Sequence, residues 1–122
     1  MVGSLPFKNW YDILAIGTVK FPEKPSVDDV LIGVCNHYKI TRAELISKNR
    51  KTELVEGRVM VSAYLYNDLK MTYKAVGEIL GGRDHTTALN SVSNHHDWMI
   101  VDKDYRASYK AVIQSVEGFV KP

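Results

Sequence analysis

Gly77-Glu78-Ile79-Leu80-Gly81-Gly82-Arg83-Asp84-His85-Thr86-Thr87-Ala88-Leu89-Asn90 is the stretch whose reading decides the fold. A short apolar segment ends on two glycines, and a polar turn, Arg83-Asp84, leads into what reads as a new helix. Gly81 suits the left-handed residue that closes a helix. Asp84 suits the cap of the next one, because its carboxylate can accept from the N–H groups of Thr86 or Thr87. Helix, tight turn, helix is the outline of a helix-turn-helix, whose second helix presents its N-terminus to the DNA major groove. The Asp, His and two Thr at that N-terminus are short and polar enough to reach base edges or phosphates.

Downstream of the turn, the recognition helix is expected over about 85–98, with Ala88, Leu89, Val92 and either His96 or Met99 inward. Asp102 caps a last helix to about 117, with Tyr105, Tyr109, Val112, Ile113 and Val116 at helical spacing. Upstream, Thr72 caps a helix over 73–80 that turns Val76, Ile79 and Leu80 inward. Before it comes a long helix over 53–69, with Leu54, Val55, Val61, Leu65 and Leu69 on its apolar face. Gly57 costs that helix about 1 kcal/mol relative to Ala, which moves its expected start toward Arg58.

Ser47-Lys48-Asn49-Arg50-Lys51 breaks the apolar pattern and reads as a basic loop. A charge cluster is commonly a solvated face, and the competing reading is a loop whose Arg enters the narrow, most negative minor groove. Thr41-Arg42-Ala43-Glu44 is a capping box that opens one short helical turn ahead of the loop. Ser26, with Asp28 and Asp29 in the first turn, opens a helix over 27–38 whose Val27, Val30, Leu31, Val34, Cys35 and Tyr38 recur at helical spacing. Residues 1–25 form a separate N-terminal extension. A short helix over 8–16 would group Phe7, Trp10, Tyr11 and Leu14, and Pro22 and Pro25 mark a linker. The extension reads as a strap that closes the core or as a contact surface for a partner or a second copy. The chain is therefore expected to be all-α, with residues 26–122 as one compact helical domain.

Composition agrees with one ordinary globular domain: 122 residues, 45% hydrophobic and 25% charged. No apolar run approaches the roughly 20 residues of a membrane span, and the N-terminus shows no signal-peptide pattern. The lone Cys35 reads as a small buried side chain in a reducing compartment, so a cytoplasmic protein is expected. Net charge is only +2, but its distribution is uneven. Residues 39–83 carry nine basic and five acidic side chains, whereas the segments on either side are each −1. Positive potential is concentrated in the middle, where the basic loop and the turn lie.

Catalysis is not indicated. His95 and His96 are adjacent and diverge by about 100° on a helix, so they would not chelate one ion easily. Neither C-x-x-C nor H-E-x-x-H is present. His96 is assigned to the partly buried side and His95 to the surface. Cys35 and His37 are two apart on a helix and point to different sides. No metal, cofactor or catalytic residue is expected.

These motifs, in this order, resemble the C-terminal DNA-binding domain (domain IV) of the bacterial chromosomal replication initiator DnaA, a helix-turn-helix fold similar to that of the Trp repressor. His37-Tyr38-Lys39-Ile40 and Glu44-Leu45-Ile46-Ser47-Lys48 resemble its first helix and the entry to its basic loop. Glu53 to Arg58 resembles the start of its long helix, and Gly81-Gly82-Arg83-Asp84-His85-Thr86-Thr87 matches its recognition signature at every position. The resemblance spans roughly 27–115. It implies that Asp84, His85, Thr86 and Thr87, with Asn90, meet an A/T-rich DnaA-type box in the major groove. Arg50 would enter the adjacent minor groove, and Lys48 and Lys51 would hold phosphates. Arg58, Thr72 and Arg83 would fix the register through the DNA backbone.

The chain also departs from the family pattern. Val59 stands where Gln is usual, Tyr66 or Asn67 where a basic residue is usual, and Ser93 and Asn94 where residues are often basic. Each change removes a potential phosphate contact and implies weaker or differently tuned binding. No G-x-x-x-x-G-K-[ST] nucleotide site is present. The expectation is a stand-alone, nucleoid-associated, double-stranded-DNA-binding module, of the kind a bacteriophage or mobile element could encode, that acts in replication initiation or its control. The alternatives are a transcriptional regulator, or a protein-interaction domain on the same scaffold. The discriminating feature is whether Arg50, Lys51, Arg83, His85 and Thr86 converge on one positive surface.

Overall fold

Ser26 opens the first helix with a full capping box: its hydroxyl accepts from Asp29 N at 3.2 Å, and the Asp29 carboxylate accepts from Ser26 N at 3.1 Å. The computed structural model describes residues 25–118. Among them are six helices and no strand: α1 Val27–Tyr38, α2 Arg42–Ile46, α3 Thr52–Asn67, α4 Tyr73–Ile79, α5 His85–Val101 and α6 Lys103–Gly118. The helix expected over 8–16, and all of the N-terminal extension but Pro25, lie outside the described residues.

α3 is the axle of the fold. Leu54, Val59, Met60, Val61, Ala63, Tyr64 and Leu65 are all buried, six of them in two consecutive runs of three, so the helix is enclosed on every side. α1, α2, α4 and α5 pack around it, and α6 closes the far side against α1 and α5. The expected helix start near Arg58 is superseded, because α3 begins at Thr52 and runs straight through Gly57. A Cβ at Gly57 would come within 3.1 Å of Leu45 and 3.2 Å of Val34. The glycine weakens α3 locally but lets α1 and α2 close in on it.

α4 ends as expected, with Gly81 at φ +92° and Gly82 at φ +81°. Gly77 matters for a different reason. Its carbonyl accepts from both Gly82 N and Arg83 N, and the Arg83 carbonyl lies where a Cβ on residue 77 would be. The absence of a side chain is what lets the turn fold back onto α4.

The buried face of α5 keeps Ala88, Val92 and Met99 as expected but differs at Leu89 and at the two histidines. Ala88 and His95 are buried, with Ser91, Val92, Trp98 and Met99 half-buried beside them. Leu89, expected inward, is 42% exposed, and His96, expected partly buried, is exposed. One step along the helix turns a side chain by about 100°, and the apolar letter at 89 pointed one step away from the face that Ala88 and His95 bury. A histidine is tolerated in the core because Tyr105 Oη sits 2.7 Å from its Nδ1 and pairs it. Trp98 and Tyr109 complete an edge-to-face aromatic group there.

α5 continues three residues past its expected end, so only Asp102 separates it from α6. Asp102 Oδ1 accepts from Asp104 N and Tyr105 N at 3.0 Å each, the expected cap. α6 buries Tyr105, Val112 and Val116, as its spacing predicts. Val116 presses on the bare backbone of Gly33 in α1.

Candidate nucleic-acid interface

α5 owes its N-terminus to Asp84. The Asp84 carboxylate accepts from Thr87 N at 3.0 Å and from the Thr87 hydroxyl at 3.1 Å, both at Oδ1. Those two bonds, the backbone one first, hold the Asp84 carboxyl below its ordinary pKa, so it is an ionised acceptor at neutral pH. His85, Thr86 and Thr87 are exposed on the first turn, where free N–H groups and the helix dipole favour anionic partners. Asn90 is exposed one turn on.

The basic loop between α2 and α3 is built from its own polar side chains. The Ser47 hydroxyl donates to the Glu44 carbonyl at 2.6 Å and accepts from Asn49 N at 3.2 Å. The Asn49 side-chain oxygen accepts from Lys51 N at 3.0 Å. These turns leave Lys48, Arg50 and Lys51 exposed.

Two further arginines brace the loop from behind. Any α-helix leaves its last four carbonyls unpaired, and five-residue α2 cannot hide them. Arg58 donates Nε to Leu45 O at 2.6 Å, and Nη2 to Ser47 O at 2.7 Å and Glu44 O at 3.3 Å. Arg83 donates Nη2 to Ser47 O at 2.6 Å, and Nη1 to Ile46 O at 3.3 Å and to Leu80 O. The carbonyls of residues 44 to 47 are thus capped by guanidinium groups from α3 and from the helix-turn-helix turn. Arg58, expected at the DNA backbone, is 7% exposed, and its guanidinium donates to these protein carbonyls. Burial lowers the pKa of both arginines, and for Arg58 the positive charges of Arg83 and Arg50 add to that effect. Arg50 on the loop and Arg58 and Arg83 behind it therefore bring three like charges to one surface.

The loop and α5 form the two walls of a groove of about 780 Å3. Lys48, Arg50, Arg58, Arg83, Thr87 and Asn90 all line it. Lys51, Asp84, His85 and Thr86 are exposed next to these residues in sequence but do not themselves line the groove. Thr72 stands apart as the cap of α4, with its hydroxyl accepting from Ala75 N at 3.1 Å. Ser91, which was not anticipated, and Asn94, which stands where residues are often basic, also line the groove. Their place follows from the true buried face of α5, since both flank the Ala88–His95 stripe. Val59, where Gln is usual, is 2% exposed and belongs to the core. Tyr66 is half-buried and stacked on Tyr73 at 4.2 Å.

Among the described residues, no group of three or more His, Cys, Asp or Glu is placed to hold a metal ion, and no helix is long and apolar enough to cross a membrane.

A family model described as the bacterial DnaA protein helix-turn-helix matches residues 27–94, which takes in α1 to α4 and the first ten residues of α5. The chain is 36% identical over 83 residues to the chromosomal replication initiator protein DnaA of Thermomicrobium roseum, covering 68% of this chain and 18% of that protein. It is 31% identical over 107 residues to the DnaA of Laribacter hongkongensis, covering 88% and 21%. It is 28% identical over 96 residues to that of Bacteroides thetaiotaomicron, covering 79% and 20%. The chain spans about one fifth of the length of these relatives.

Proposed function

The chain belongs to the bacterial DnaA helix-turn-helix family, a family of DNA-binding domains, and from that premise we propose that it reads A/T-rich, DnaA-box-like sites through both grooves at once, in replication initiation or its control. α5 enters the major groove. There the Asp84 carboxylate accepts from a cytosine N4 amine, and His85, Thr86, Thr87 and Asn90 meet neighbouring base edges. Leu89 is exposed one turn from His85 and offers an apolar patch to a thymine methyl. Arg50 enters the adjacent minor groove, where narrow A/T sequence deepens the negative potential. Lys48, Lys51 and the α4 cap at Thr72 hold phosphates and position the domain without specifying sequence.

The observation that carries this reading is the groove itself, which puts Arg50 and Lys48 on one wall and Thr87 and Asn90 on the other. That arrangement favours a duplex over a protein partner, because Lys48, Arg50 and Arg83 set positive charge along a groove whose α5 side carries Thr87, Asn90, Ser91 and Asn94. Fluorescence anisotropy tests it, with one labelled duplex carrying a DnaA-type box and one with the box scrambled, across a salt series. Preference for the box that persists at high salt supports base readout. Equal binding to both with a steep salt slope means phosphate attraction alone, and absence of binding at low salt rules the DNA reading out.

A further inference from the structure

We propose that Arg83, with Arg58 behind it, is a positioning residue that locks the basic loop to the recognition helix, so that the two grooves of the duplex are read in one fixed register. This rests on the DNA-binding reading above and assigns the two arginines a role other than phosphate contact.

The argument starts from what holds the loop. Its bonds at Ser47, Asn49 and Lys51 are local and fix its shape but not its position. Position comes from Ser47 O, a single acceptor with two lone pairs. Arg58 of α3 and Arg83 of the turn fill both. Arg83 also reaches Leu80 at the end of α4 and Ile46 at the end of α2. One side chain therefore joins the loop, α2 and the helix-turn-helix turn, immediately before the cap of α5. The backbones meet there too: a Cβ on Gly81 would lie 2.5 Å from Ile46 O and 3.2 Å from Arg83 Nη1. Three N–H donors of Arg83 are committed to protein carbonyls. A lysine cannot reproduce this, because its single ammonium lacks the planar fork.

The experiment compares wild type, Arg83→Lys and Arg83→Gln by two readouts. Amide hydrogen exchange on the free protein follows Asn49 and Lys51 against amides of α3 in the same sample, which separates loop loosening from global unfolding. Anisotropy against box and scrambled duplexes gives the preference and the salt slope. A positioning role predicts that both variants speed exchange at Asn49 and Lys51. It also predicts that both lower the preference for the box about tenfold with the salt slope unchanged. Wild-type behaviour of Arg83→Lys overturns the proposal, since charge alone would then suffice. So does a slope about one unit shallower in Arg83→Gln with loop exchange unchanged, the signature of a phosphate contact. If wild type shows no preference for the box, the box-reading claim fails, and loop exchange in the free protein alone decides whether Arg83 fixes the loop.

Discussion

Arg58 and Arg83 donate to the same oxygen, the carbonyl of Ser47, at 2.7 and 2.6 Å. The two side chains come from different elements, so this atom is where the long helix, the basic loop and the helix-turn-helix turn are joined. Arg58→Ala would leave the buried carbonyl of Leu45 without its side-chain donor and open a hole beside α2. A loss of about 2–4 kcal/mol is expected, measured by urea denaturation. Arg58→Lys should recover only part of it. A loss below about 0.5 kcal/mol for Arg58→Ala would show that α2 does not need this brace.

His95 gives the fold an acid-sensitive point. It is buried against Tyr105 and Tyr109, with His96 next to it in sequence. Burial first, then the neighbouring His96, push its pKa down to about 4. In the unfolded chain an ordinary histidine titrates near 6.5. Between those values the unfolded chain binds a proton that the folded protein refuses, so stability is complete above about pH 6.5 and is lost as pH falls toward 4. The loss is at most roughly 3 kcal/mol. Urea midpoints at pH 7 and pH 4.5 should differ in that direction, and His95→Gln should narrow the difference. An unchanged midpoint in wild type would contradict the buried, neutral assignment.

Lys48 and Lys51 are exposed on the loop. Lys48→Gln and Lys51→Gln should each make log K against log salt shallower by about 0.9 and weaken box and scrambled duplexes alike. A change in the preference between duplexes, with the slope intact, would mean that these lysines read bases.

Much of this was legible in the sequence because it rests on short-range chemistry. Ser26, Thr41, Thr72, Asp84 and Asp102 each announce a helix start, and each caps the helix it announces. The two glycines after Leu80 likewise marked the turn. What was not legible depends on long-range packing. Nothing in the spacing of α5 favours His95 over His96 until Tyr105, from another helix, is seen to pair it. Gly57 read as a weak point in a helix, whereas α1 and α2 need its bare backbone. Arg58 read as one more cation in a basic segment. Its role appears only when the unpaired carbonyls of α2, thirteen residues earlier at Leu45, are found at its guanidinium.

The most direct test of two-groove reading replaces each A·T pair of the box, one at a time, with inosine·cytosine. That pair keeps a minor groove without the guanine amine but presents the major groove of G·C. The account predicts two blocks. Pairs under α5 should lose about 1–3 kcal/mol of binding each. Pairs under Arg50 should tolerate inosine·cytosine yet reject guanosine·cytosine, and Arg50→Ala should abolish that discrimination. Uniform sensitivity along the box, or uniform tolerance, would contradict the account.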